Sequence, residues 1–146
     1  MSYLKDHPIK EQWFQEKVTN ETVVYAESFA EHLAEESEEK NDILPLTTSQ
    51  LRKFFGAVKS LQMDITVHGY KESEVVMLKP KLAYAVGRVK QKNKYYKERR
   101  IEDFAEVLSS AIDMVNSSKT KDVAFRNFIS FFEAIVAYHK RYGKEN

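Results

Sequence analysis

Lys81, Tyr84, Arg88, Lys92 and Tyr95 fall at i, i+3, i+7, i+11 and i+14, which on an α-helix is a single face. Cations interleaved with flat rings along such a face suit phosphate contacts down a nucleic-acid backbone, with the rings offered to unpaired bases or riboses. Another reading stands beside it: Tyr84 and Tyr95 pack at a core margin, and the cations form an ordinary solvated face. The stripe belongs to a wider run. Between residues 79 and 100 there are nine Lys or Arg, among them Lys79 and Lys90, against one acid, Glu98. On the preceding segment Arg52 and Lys59 lie seven residues apart on one face with Gly56 between them. A glycine there either leaves the backbone approachable or marks a helix-packing contact.

Bond-making chemistry is harder to assemble. The four histidines are His7, His32, His68 and His139, and none has a partner at metal-ligand or catalytic spacing. His32, with Glu35 and Glu36, reads as part of an acidic solvated helix face. No Arg precedes a His by four to six residues, and neither a P-loop nor a G-x-G-x-x-G turn is present. Lys and Tyr serve as acid or base only where their surroundings shift them, and an exposed cationic stripe is a poor place for that. The expectation is therefore no catalytic residue, no metal, no cofactor and no small-molecule substrate.

The elements that must position these residues are helical almost throughout. The chain has 146 residues with 12% aromatics, enough for one domain with a packed core. Four Gly and three Pro leave little material for turns. A helix is predicted over Thr22 to Glu39, with Phe29, Ala30 and Leu33 inside and Glu27, Glu31, Glu35 and Glu38 outside, after a shorter turn at Trp13 and Phe14. Asn41 to Leu46 reads as a linker. Thr47 and Gln50 have capping-box spacing, and Leu51, Phe54, Phe55, Val58, Leu61 and Ile65 follow the helical rule. Thr66 to Leu78 reads as a loop around Gly69 with an apolar turn at Val75 to Leu78. Pro80 suits the first turn of a helix reaching about Lys97, with Leu82, Val86 and Val89 toward the core. A stripe from Ile101 to Val115 gives the next helix, and the last runs from Thr120 as N-cap to Tyr142, closed by Gly143. The fold class is all-α, a compact five-helix bundle.

Charge is divided within that bundle. The formal net charge is only +1, yet residues 1 to 46 hold four cations against eleven acids, −7, and residues 47 to 146 hold nineteen against eleven, +8. We therefore divide the single domain into an acidic N-terminal helical segment, 1–46, and a basic helical core, 47–143. An acidic head on a basic body points to a polyanionic partner and to head-to-tail contact between copies. A joint at Gly69 would also let helices exchange between protomers, so a dimer or head-to-tail oligomer is expected. Cysteine is absent, which fits a reducing cytoplasm. The N-terminus has no apolar h-region and no run approaches a membrane span, so a cytoplasmic protein without a membrane partner is expected.

Three stretches carry a family likeness. TSQLRKFF at 48–55, LKPKLAYAVGR at 78–88 and FFEAIVAYHK at 131–140 resemble, in order and spacing, the small subunit of type III-A CRISPR RNA-guided effector (Csm) complexes, over about Leu46 to Gly143. The resemblance implies a non-catalytic helical bundle that stacks in several copies along the complex, beside its other subunits, and lines the channel where crRNA pairs with target RNA. It would put the family's positive charges on Arg52, Lys53, Lys79, Lys81 and Arg88, with Lys140 ending the third stretch. Gripping a guide–target duplex by its backbone requires no sequence readout, because base pairing supplies the sequence. The candidate RNA-binding set is then Arg52, Lys53, Lys59, Lys79, Lys81, Tyr84, Arg88, Lys90, Lys92 and Lys140. The rival is a helical protein–protein adaptor that self-associates without binding nucleic acid. A double-stranded DNA reader is disfavoured, since no short helix-turn-helix spacing appears.

Overall fold

A computed structural model describes residues 2–143. Its order is α1 (Tyr3–Asp6), α2 (Gln12–Gln15), α3 (Asn20–Ala34), β1 (Ile43–Leu44), α4 (Thr48–His68), α5 (Glu72–Val76), α6 (Leu78–Lys92), β2 (Glu98–Arg99), α7 (Arg100–Asn116) and α8 (Lys121–Tyr142). The all-α expectation holds. Helices α3, α4, α6, α7 and α8 answer to the five expected, but α1, α2 and α5 come in addition, so five understates the count. Only Met77 separates α5 from α6, in the stretch read as a loop.

Two helices stop sooner than their patterns suggested. Helix α3 ends at Ala34 instead of Glu39, and Glu35 turns extended at ψ 132°. A further turn would crowd Glu31, Glu35, Glu38 and Glu39 at i, i+3 and i, i+4 spacings, where like charges repel. Instead the Arg100 guanidinium takes the carbonyl of His32 at 3.0 Å and pairs with Glu35. Helix α6 ends at Lys92, five residues before Lys97, where the Asn93 amide bonds back to the Val89 carbonyl at 2.8 Å. The chain beyond turns into β2, which pairs in parallel with β1, Ile43 opposite Glu98 and Leu44 opposite Arg99. The linker read at 41–46 thus contains a short strand.

Helix α8 is the hub, packed against α2, α3, α4 and α7. Phe125, Phe128, Phe131, Phe132 and Ile135 are all buried on it, and each such side chain contributes about 1.5–3 kcal/mol of transfer free energy. Phe132 meets Phe55 at 5.0 Å and Phe104 at 5.7 Å, while Phe131 meets Phe14 at 5.5 Å edge-on. Ile9, Trp13 and Phe14 from the first sixteen residues join the same core as Leu51, Leu82 and Ile112, so head and body share one interior.

The joint between head and body is locked by polar contacts. The Thr47–Gln50 capping box forms as expected, with Gln50 N–H on the Thr47 hydroxyl at 3.2 Å and Thr47 N–H on Gln50 Oε1 at 2.9 Å. Leu46 N–H bonds the Leu33 carbonyl at 2.8 Å. His139, buried on α8, donates through Nε2 to the Leu46 carbonyl at 2.7 Å, and its Nδ1 faces the Thr48 hydroxyl at 3.4 Å. Thr120 does occupy the N-cap of α8, but its side chain makes no capping bond.

His139 gives the fold a pH dependence. Burial pushes its pKa below the ordinary histidine value, more than the Leu46 carbonyl raises it. The unfolded chain therefore takes up a proton first on acidification, so the histidine's contribution is complete above roughly pH 6.5 and declines below it. Urea unfolding at pH 7.5 and 5.5 should show the wild type losing more stability than His139→Gln between the two. Equal losses would contradict the lock.

Candidate nucleic-acid interface

Between α4 and α6 lies an open groove of about 540 Å³. Helix α4 packs chiefly on α8 and α6 chiefly on α7, so the two helices stand apart as walls. Leu46, Phe54, Leu82, Ile101 and Phe104 form an apolar floor, Ala57, Ala85 and Val89 line the sides, and Lys53, Lys81, Arg88 and Lys92 project at the edges beside Tyr84. No carboxylate lines it.

Helix α6 is built to give this asymmetry. Leu78 and Leu82 are buried and Ala85, Val86 and Val89 pack half-buried on the core, while Lys81, Tyr84, Arg88 and Lys92 remain exposed. The margin-packing reading of Tyr84 is thereby set aside, since its ring is 69% exposed, with the Arg88 guanidinium 5.9 Å from the ring centre. Tyr95 is 88% exposed but falls in the turn after α6 has ended, off the stripe. On α4, Arg52 and Lys53 are exposed, and the Lys59 ammonium stands 6.0 Å from the Phe55 ring, away from the groove. Gly56 packs against nothing: a Cβ added there meets open space, so the helix-packing reading fails. Lys140 is exposed on α8, outside the groove.

Ion pairing sorts the cationic run. Lys79 reaches Asp113 at 2.7 Å and Lys90 reaches Glu102 at 3.7 Å, both on α7. Lys97 pairs with Asp42, Arg99 with Glu102, and Arg100 with Glu35, Glu98 and Asp103. Among the described residues no carboxylate comes within 4 Å of Lys81, Arg88, Lys92 or Lys94, nor of Arg52, Lys53, Lys59 or Lys140. Unpaired cations fixed on rigid walls raise the local concentration of a polyanion without surrendering an internal partner. The sequence shows the run but not this division, because pairing depends on which helix lies opposite.

The histidines are otherwise engaged. His32 is not on a solvated face: its Nε2 meets Asp103 at 2.8 Å, and the Tyr3 ring stacks on it at 4.3 Å, with His7 on the other side of Tyr3 at 4.2 Å. His68 pairs with Asp64 at 2.8 Å on the surface of α4. Among the described residues no three His, Cys, Asp or Glu are grouped to hold a metal, and no helix is long and apolar enough to cross a membrane.

The chain is thus an all-α domain with an open, cation-edged groove between two of its helices. The family model described as Csm2 Type III-A matches residues 16–145, nearly the whole chain, and the chain belongs to that family. It is thus a small subunit of a type III-A CRISPR complex, from a family without catalytic activity, and associates with other subunits of that complex. No curated protein and no solved structure matches it. The match takes in part of the acidic head, which the three stretches of the sequence did not reach, and leaves α1 and α2 ahead of it.

The sorting of cations predicts opposite costs. Arg100 is 5% exposed with Glu35, Glu98, Asp103 and the His32 carbonyl around it. Arg100→Ala should therefore cost about 1.5–3 kcal/mol in chemical denaturation, from its charged hydrogen bonds, since Glu35 and Glu98 are left largely in water. Replacing Lys81 and Arg88 together should change stability by no more than about 0.5 kcal/mol at each site. Comparable losses in both variants would contradict the division.

Proposed function

We propose that this small subunit holds the RNA of its complex, guide or target, through the cations on the walls of the α4–α6 groove, and catalyses nothing itself. One observation carries the reading: on the same helix, Lys79 and Lys90 are neutralised by α7, whereas Lys81, Arg88 and Lys92 are left without carboxylates around an open groove. Lys53 faces them from α4, and Arg52, Lys59 and Lys140 extend the positive surface outward. Such contacts position a backbone and leave sequence to base pairing. We further propose one domain whose copies stack head to tail, acidic α3 face toward a neighbour's basic surface, within a cytoplasmic antiviral assembly. The protein-only adaptor keeps one observation in its favour, the apolar floor of the groove.

Salt-dependent binding distinguishes these readings. If Lys81 and Arg88 each neutralise one phosphate, the double Ala variant should lower the magnitude of the log–log salt slope by roughly 1.4 to 1.8, for any RNA sequence. Lys79→Ala with Lys90→Ala should move the slope less, because those ammonium groups already have partners. Equal effects of the two pairs would make the attraction a diffuse property of the basic body. Target capture by the assembled complex that is untouched by either pair would favour the adaptor.

A further inference from the structure

We infer that the α4–α6 groove seats an unpaired nucleobase, so that this chain binds single-stranded or locally extruded RNA in preference to continuous duplex; the inference rests on the RNA reading above. Cations at the edges suffice for a duplex, which turns phosphates and riboses outward and keeps its bases stacked. A duplex would leave the half-buried Phe54, Ala85 and Val89 and the exposed Ala57 uncovered in the trough, above Leu82, Ile101 and Phe104, which the core already covers. An unstacked base has two apolar faces and a polar edge, and it buries against such a floor while its own phosphates stay at the rim. The volume of about 540 Å³ lies within the range of small-molecule sites and has room for a nucleoside.

Polar groups stand where a base edge would need them. Gln50 spends its Oε1 on the Thr47 N–H, which leaves the Nε2 group as a donor at the groove. Asn93 spends its Nδ2 on the Val89 carbonyl, which leaves Oδ1 as an acceptor. Tyr84 lies across the edge with Arg88 against its ring, a flat cationic surface beside the entrance. The lining offers no carboxylate to repel the phosphates that would accompany a base.

The test uses the whole chain and a short single-stranded RNA carrying one 2-aminopurine, alone and annealed to its complement. Ala57 is exposed on α4 and lines the groove, so Ala57→Trp fills the groove without changing charge; Ala85→Leu on the opposite wall is the second variant. The expected result is single-strand binding roughly tenfold tighter than duplex binding. Either filled variant should remove that preference, leave the salt slope unchanged and abolish the fluorescence change of the 2-aminopurine. If both RNAs bind equally and neither variant matters, the base pocket is overturned while backbone binding stands. If neither RNA binds, the pocket falls together with the RNA reading. If the groove instead takes a synthetic acidic amphipathic peptide, blocked by Ala57→Trp while RNA binding is indifferent to it, the groove belongs to a protein partner and the inference is overturned.

Discussion

Phe125, Phe128, Phe131 and Phe132 line the buried face of α8, and the placement of the other helices follows from the need to cover that face. No single neighbour is wide enough: α3, α2, α4 and α7 each take a sector. Because α4 is recruited to one side of α8 and α6 is held through α7, the two helices that carry the candidate cations do not close on each other. The groove is a consequence of where the aromatic spine sends its partners.

Charge is arranged on top of this packing by geometry rather than by composition. Carboxylates of α7 face the sides of α6 that bear Lys79 and Lys90, and the end of α3 faces Arg100. The buried Arg100 carries the heavier consequence, since a guanidinium removed from water requires the carboxylates and carbonyl that surround it. The exposed pairs contribute little to stability, in the range of about 0–1 kcal/mol each. Their effect is to divide a run of similar residues into cations with internal partners and cations available to an outside one.

Much of the fold was legible because its signals are local. The stripe of Ile101, Phe104, Leu108, Ala111, Ile112 and Val115 marks α7, and Thr47 with Gln50 marks the start of α4. The ends of α3 and α6 were not legible, since they are decided by Arg100 reaching back to His32 and by the pairing of two short strands distant in sequence. In the site, the spacing of Lys81, Tyr84 and Arg88 revealed their shared exposed face. It could not reveal the floor, where Leu46, Phe54, Leu82, Ile101 and Phe104 come from separate elements. Nor could it show that His32 is tied to Asp103 from α7, 71 residues away.

The central claim is that the α4–α6 groove faces RNA. Tyr84, exposed at its edge, can be exchanged for p-azidophenylalanine with its ring retained, and Tyr142, at the far end of α8 and outside the groove, serves as the comparison. Irradiation of the assembled type III-A complex bearing labelled guide and target should cross-link RNA from position 84 and not from position 142. A cross-link from position 84 that reaches only protein would contradict the account.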